Sequence, residues 1–292
     1  MSLTARSRKE VLYLRPQYQF ELLAPDRSHT AKGFQKCRSN KQQHRDSLSA
    51  VQRLRGRLYL KDGAIRHTDL DYDGRFHMCG DEHAWHLLVV DEAGEVVGCV
   101  RYLLYRNTIT FSELRVSDCA LAKNPAWTDK VRTAIESELE VARDHNLSYI
   151  EIGGWALSEE WRGTRAAMEI ALGSYALARL WGGAIGCCTA TARHGSASIL
   201  HRLGGQSLQF NGEDLPAYHD PQYGCSMEIL RFDKRNLTDP YLRVVYELTN
   251  KLSKASLIVP REPSRGHFNP LPPGLGRRTA MAASPWLPAT RL

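Results

Sequence analysis

The stretch from Glu151 to Trp181, EIGGWALSEEWRGTRAAMEIALGSYALARLW, limits what this chain can become more than any other. Tyr149–Leu157 reads as a strand, Ser158–Gly163 as a short polar loop, and a long helix begins near Thr164. The helix carries Ala166, Ala167, Ile170, Ala171, Leu177, Ala178 and Trp181, and Met168, Leu172, Tyr175 and Leu180 spread apolar surface round its other sides. A helix apolar on nearly all sides is covered on more than one face, which puts it at the centre of the fold. A strand that feeds such a helix through a tight Arg-Gly turn leaves the first helical N–H groups without partners. Those donors, the positive end of the helix dipole, and Arg162 and Arg165 beside them suit a phosphate or diphosphate. An ordinary strand-to-helix connection with two solvated arginines would carry the same residues.

The rest of the chain supplies partners for this unit. Leu48, Val51, Leu54 and Leu58 recur at helical spacing behind Asp46 or Ser47 as N-cap, on a helix that also carries Arg53, Arg55 and Arg57. An acidic loop, DLDYDGR, follows with a turn at Asp73-Gly74. Ala84–Val90 and Val96–Tyr105 flank the turn DEAGE and predict a β-hairpin. Residues 106–127 show no clear period. Thr128 starts an amphipathic helix with Val131, Ala134, Ile135, Leu139 and Ala142 on one face, ending about Asn146. Beyond the central helix, Ala184–Ala192 reads as a buried strand and Ser196–Leu203 as a short helix stopped at Gly204-Gly205. Ser207–Phe210 and Ser226–Phe232 read as two more strands, and Arg243–Ser253 as a terminal helix. This order predicts an α/β chain with a mixed central sheet flanked by helices on both faces. Residues 1–45 are expected to be a loosely attached basic arm, 46–235 the folded domain, 236–259 a C-terminal helix, and 260–292 a disordered Pro/Arg-rich tail.

Composition narrows the class. Hydrophobic residues make up 42% and charged residues 24%, as in a globular protein with a proper core. No apolar run has bilayer length and no signal-peptide core follows the basic N-terminus, so membrane contact is expected to be peripheral at most. Seven cysteines without framework spacing point to reduced thiols and a cytoplasmic location. The net charge of +7 is uneven: basic to residue 66, acidic over 69–95, basic again after Pro260. Such asymmetry favours an acidic partner, whether carrier protein, anionic lipid or nucleic acid. Zinc-finger, RNP and helix-turn-helix patterns are absent, which argues against nucleic acid. His77, Cys79, Asp81, His83 and His86 match no metal-ligand spacing, so no metal is expected.

The segment WRGTRAA resembles the acyl-CoA pyrophosphate loop of the GNAT acyltransferases, Arg/Gln-x-x-Gly-x-Gly/Ala. Arg162 matches its first position and Ala167 its last, with Arg165 standing at the middle glycine. The wider sequence, over residues 47–233, is similar to the branch that holds the acyl-homoserine-lactone synthases and N-acyl amino acid synthases. Glu151-Ile152-Gly153-Gly154 resembles their Glu-x-Ser-Arg, keeping the glutamate. Arg55 and Tyr59 resemble their Arg-x-x-x-Phe/Tyr, and Arg101 in GCVRY the arginine of Gly-Cys-x-Arg. The resemblance implies a GNAT-like fold and transfer of a fatty acyl group from a phosphopantetheine thioester to the amine of an amino acid or similar small molecule. Acyl carrier protein is the expected donor, with acyl-CoA possible; either is a co-substrate, and no bound cofactor is implied. It further implies that Trp155, Ala156, Leu157, Arg162, Gly163, Thr164, Arg165 and Ala167 hold the donor, with Gly153-Gly154 allowing the strand to splay. Glu151 is the expected general base. Tyr218, with His219 and Tyr223, is placed at the acceptor pocket or the leaving thiol by position alone. Arg55, Tyr59, Asp71, Asp73 and Arg101, with Asp69, correspond to the electrostatic cluster that shapes the family's active-site lid. A non-catalytic binding or scaffold protein on the same fold, its donor site degenerate, is the alternative.

Overall fold

The computed structural model describes residues 17–26 and 33–261, the side chain of His194 excepted. In chain order its elements are β1 (Tyr18–Leu23), β2 (Lys36–Ser39), α1 (Lys41–Lys61), β3 (Trp85–Asp91), β4 (Val96–Tyr105), α2 (Ala120–Lys123), α3 (Thr128–Asp144) and β5 (Ser148–Leu157). There follow α4 (Arg165–Leu180), β6 (Ala184–Thr191), α5 (Ser196–Arg202), β7 (Gln206–Ser207), β8 (Gln209–Phe210), β9 (Glu213–Asp214), β10 (Tyr218–Asp220), β11 (Cys225–Phe232), α6 (Asp239–Ser253) and β12 (Ser256–Val259). The main sheet runs β10-β11-β6-β5-β4-β3-β1-β12-β2, with β7 beside β11. The pairs β5–β6, β1–β12 and β12–β2 are parallel and the rest antiparallel, so the sheet is mixed as expected.

Alternation along the strands divides the core between two faces. Leu22, Leu87, Tyr102 and Ile150 point to α4, α5 and α6. Leu23, Leu88 and Cys99 meet α1, and Leu103, Tyr105 and Tyr149 meet α3. The central helix is buried on several sides because the sheet lies under it and α6 packs on it. Gly173 seats it as low as backbone allows, since a Cβ there would stand 2.5 Å from Leu87 Cδ2 and 2.9 Å from the Tyr102 hydroxyl. Among the described residues no helix is long and apolar enough to cross a membrane.

Two pieces of the expected arm, Tyr18–Leu23 and Lys36–Ser39, are strands of the sheet. Tyr18–Leu23 pairs antiparallel with β3 and parallel with β12, and Leu22 and Leu23 are fully buried. Its parallel partner is the four-residue SLIV near the other end of the chain, inside what reads locally as a C-terminal helix segment. A short pairing across such a separation leaves no periodic trace in the sequence. Helix α1 starts at Lys41, ahead of Asp46: Asn40 Oδ1 accepts the Gln43 N–H at 2.9 Å, and apart from the buried His44 the first turn faces solvent and is polar. Residues 106–127 form short 3₁₀ turns and α2, and the single strand expected at Ser207–Phe210 is split between two partners. The first sixteen residues of the arm and the tail from residue 262 lie outside the described residues.

If β1 is structural, Leu22→Ala should lower the unfolding free energy by about 2–5 kcal/mol in urea denaturation, the range for a buried Leu→Ala. A loosely attached arm predicts no change.

Candidate active site

The site begins where a ladder stops. Strands β5 and β6 pair from Ser148–Ala184 to Ile152–Cys188, then run on to Leu157 and Thr191 unpaired with each other. The cause lies on the opposite edge of β5. Arg101 is opposite Gly153 but Cys99 is opposite Ala156, so β5 carries one extra residue there. Such a bulge bends its strand and increases the twist. Gly154 supplies the bend with φ 61°, and a Cβ on it would lie 3.0 Å from Arg55 Nη1. The Tyr59 hydroxyl on α1 donates to the Trp155 carbonyl at 3.1 Å, tying down the residue after the bend.

The gap opens into a cavity of about 470 Å³. Trp155, Ala156 and Leu157 of β5 form one wall and Cys188–Thr191 of β6 the other. Ala167, Ile170, Ala171 and Ser174 of α4 close one side; Tyr59, Met78 and Tyr223 close the opposite one. Arg162 and Gly163 stand at the mouth. Arg193, which the sequence reading passed over, also lines the mouth, bridging the Asp62 and Gly224 carbonyls at 2.8 and 3.3 Å.

The loop into α4 leaves its helix start open. Thr164 occupies the N-cap position, yet its hydroxyl donates to the Trp161 carbonyl at 2.7 Å and caps nothing. The first turn holds no acidic residue. Positive dipole and unmatched donors are therefore left for an outside acceptor. Gly163 turns the loop with φ 73°. Arg162 is part-exposed, 3.9 Å from Asp62. Arg165 points elsewhere: it bonds Glu169 Oε1 at 2.7 Å and reaches Glu247 at 3.4 Å, so its side chain runs along the helix away from the cavity. Of the eight expected donor residues, Thr164 and Arg165 are not on the cavity wall, and the others are.

Behind the bulge sits a buried charge cluster whose carboxylate is Asp81. Arg55, fully buried, binds both Asp81 oxygens; Gln52 Nε2 and the Met78 N–H each donate to Asp81 Oδ2 at 3.1 Å. Arg101 Nη1 donates to the Cys79 carbonyl at 2.8 Å and lies 3.4 Å from Asp81 Oδ1. Burial alone would raise the Asp81 carboxyl, but the Arg55 guanidinium foremost outweighs it and holds the group well below the usual carboxylate range. Burial pushes His86, bonded to the Asp81 carbonyl, down to about 4. Asp71 and Asp73 are not in this cluster. Asp71 binds Arg75 at 2.7 Å and His77 at 2.8 Å, and Asp73 faces Arg75 at 3.2 Å, closing their own exposed turn. Asp69 likewise closes a turn on Arg66. Arg55 on an apolar helix face and Arg101 in mid-strand announced a buried carboxylate; spacing did not say which one.

Glu151 and Tyr218 lie off the cavity wall. Glu151 points to the α3 side and accepts the Tyr105 hydroxyl at 2.9 Å and the N–H groups of Arg115 and Val116 at 2.8 and 2.7 Å. Burial pushes its carboxyl up, against these three donors. It is not on the cavity wall, and its position fits anchoring of the 111–118 segment rather than taking a proton from a substrate. Tyr218 is buried against Cys119 and Leu121 under α2, while its neighbour Tyr223 is the tyrosine that reaches the cavity. His219 is exposed.

Comparison with known proteins yields structural matches. No family model matches the chain and no curated protein does. Among solved structures it is similar to BjaI, a CoA-dependent acyl-homoserine lactone synthase, with TM-score 0.50 and 16% identity over 86% of this chain and 96% of that one. It is also similar to MesI, another CoA-dependent acyl-homoserine lactone synthase, at TM-score 0.45 and 15% identity over 82% and 98%. FeeM, an N-acyl amino acid synthase from uncultured soil microbes, gives 0.44 and 13% over 80% and 98%. The BjaI likeness shows the fold: a GNAT-like sheet of the acyl-homoserine-lactone-synthase kind, as the sequence suggested.

Asp81→Asn leaves Arg55 buried without its counter-charge, and should cost about 3–5 kcal/mol near neutral pH. Because the folded-state carboxyl is depressed, its contribution is present above the ordinary value of about 4 and is lost as pH falls below it. Urea melts of wild type and variant should thus differ most above about pH 5 and converge on acidification. A gap independent of pH would mean that the ion pair is not its source.

Proposed function

We propose that the chain is an N-acyltransferase that moves a fatty acyl group from a phosphopantetheine thioester to the amine of an amino acid or related small molecule. The observation that carries this is the cleft itself: two adjacent parallel strands part after Ile152 and Cys188, and an uncapped helix start and an arginine stand at the open end of the gap. The donor's phosphates rest on the first N–H groups of α4, with Arg162 and Gly163 beside them. Its pantetheine arm enters between Trp155–Leu157 and Thr189–Thr191, and the thioester carbonyl stops at the bulge. Arg55 and Arg101 share one carboxylate behind Gly154, leaving positive potential next to the oxygen that becomes negative in the tetrahedral intermediate. The amine approaches from the side of Tyr59, Met78 and Tyr223. An N–C bond forms, the C–S bond breaks, and the amine's proton offsets the charge on the departing thiolate.

Acyl carrier protein is our preferred donor. Arg53, Arg57 and Lys61 are exposed along α1, whose end borders the mouth, and suit an acidic carrier surface. Acyl-CoA presents the same arm, and BjaI and MesI are both described as CoA-dependent. The side-chain direction of Arg165 leaves little support for a degenerate donor site.

Thiol release from acyl-carrier and acyl-CoA donors, with and without a panel of amino acids, tests the reading. Amine-dependent release is expected, and no release with any donor would remove it. Arg162→Ala should raise KM for the donor about tenfold, as for the loss of one hydrogen bond to a charged group. Glu151→Gln turns an amide N–H toward donors and should cost about 1–3 kcal/mol of stability. The residual enzyme should keep the wild-type pH–rate profile. Loss of the acidic limb, where the rate falls as an essential base takes up its proton, would in that variant restore Glu151 as the proton acceptor.

A further inference from the structure

Cations gather where the loop enters α4, and most of them already face a carboxylate. Arg165, the first residue of the helix, is held by Glu169 at 2.7 Å and Glu247 at 3.4 Å. Lys61 Nζ lies 2.7 Å from Glu159. Lys61 foremost, with Arg162 behind it, holds that carboxyl below its usual range. Arg162 itself lies 3.9 Å from Asp62, and Glu160 stands exposed in the same loop. Arg193 differs: its guanidinium bonds the Asp62 and Gly224 carbonyls, and among the described residues no carboxylate lies within ion-pair reach of it.

Asp62 is fixed in place. Its N–H donates to the Leu58 carbonyl at 2.9 Å, closing the end of α1, and its own carbonyl accepts Arg193 Nη1 at 2.8 Å. With the backbone held from both sides, the residue stays on the cavity wall beside Arg162. A phosphate resting on the start of α4 therefore arrives next to a carboxylate that cannot withdraw far. One negative charge is met there by the helix donors, Arg162 and Arg193. Each further charge finds cations already matched, and is repelled by Asp62, Glu159 and Glu160. The two kinds of pantetheine donor differ in this respect. A carrier-bound arm ends in a singly charged phosphodiester, whereas CoA carries a diphosphate and a phosphate monoester, roughly four charges near neutral pH.

We propose that Asp62, with Glu159 and Glu160, selects the donor by its charge: the mouth takes the phosphodiester of a carrier-bound pantetheine and disfavours the phosphates of CoA. This rests on the reading above that the donor's phosphate settles at the start of α4. Asp62 is then a specificity-determining residue. It acts on the donor's charge across the mouth and takes no part in the bond changes.

The test uses the full chain and amine-dependent thiol release from donors that share one acyl group: acyl-carrier protein, acyl-CoA, acyl-dephospho-CoA and uncharged acyl-pantetheine. Wild type should show a KM for acyl-carrier protein about tenfold or more below that for acyl-CoA. In Asp62→Asn the ratio of KM for acyl-CoA to KM for acyl-pantetheine should fall about fivefold, the effect of one carboxylate on several phosphate charges in a watery site. The ratio for acyl-dephospho-CoA should fall less, and both changes should shrink at about 0.5 M salt. Glu159→Gln, which leaves the end of α1 untouched, should move the ratios in the same direction. Ratios that stay constant, or a change that salt does not reduce, would mark a merely structural effect and overturn the proposal. Wild type that uses acyl-CoA as readily as the carrier overturns it too, with the acyltransferase reading left standing. Release from none of the donors removes that reading instead. Calorimetric titration of CoA and dephospho-CoA then decides the charge selection by itself: the substitution must tighten CoA more than dephospho-CoA, and an equal change, or no binding of either, sinks it.

Discussion

The Arg55–Asp81 ion pair supports the geometry on which the rest of this molecule turns. It joins α1 to the segment before β3, and its guanidinium lies against the one residue of β5 whose backbone is left-handed. Gly154 can take that conformation because it lacks a Cβ, and it must lack one because Arg55 and Met78 occupy the space. The extra residue in β5 follows, then the bend, then the parting from β6. A buried charge pair is rarely a strong source of stability, since desolvation offsets much of its attraction. Here its value is positional: it holds an irregularity that regular strand pairing would otherwise remove.

The same economy governs the helix start. An N-terminal turn with neither side-chain cap nor acidic residue forgoes about 1 kcal/mol that a capping serine or aspartate would contribute. Thr164 has the right chemistry for that task and spends its hydroxyl on Trp161 instead, bracing the loop that carries Arg162 and Gly163. Glu151 is the counterpart on the other face. Its carboxylate gathers three donors to pin a segment built only of short 3₁₀ turns.

How much of this was legible depends on range in the sequence. The strand–loop–helix unit, the hairpin and the burial of the central helix all declare themselves within about thirty residues, through periodicity and turn chemistry. The Arg-Gly loop came with them, while the residues of β5 that line the cavity were implied only by the family resemblance. What stayed hidden was set by pairing at a distance. β1 became an interior strand only because SLIV returns beside it, and Asp81 outcompeted Asp71 and Asp73 because Gly80, at φ 82°, turns it inward beneath Arg55. Glu151 was visible as a carboxylate in an apolar strand, which demands a partner. Local pattern could not tell a substrate amine from the N–H groups of Arg115 and Val116.

The closed end of the cavity follows from that division of labour. In a cavity formed by parting strands, the polar chemistry belongs near the mouth and bulge, where backbone groups have lost their ladder partners. The last paired rung has no such groups left over, so any polarity there must come from a side chain, and Ser174 supplies it from the helix above. Gly173 lets α4 settle onto Tyr102, which brings the next residue down over that rung.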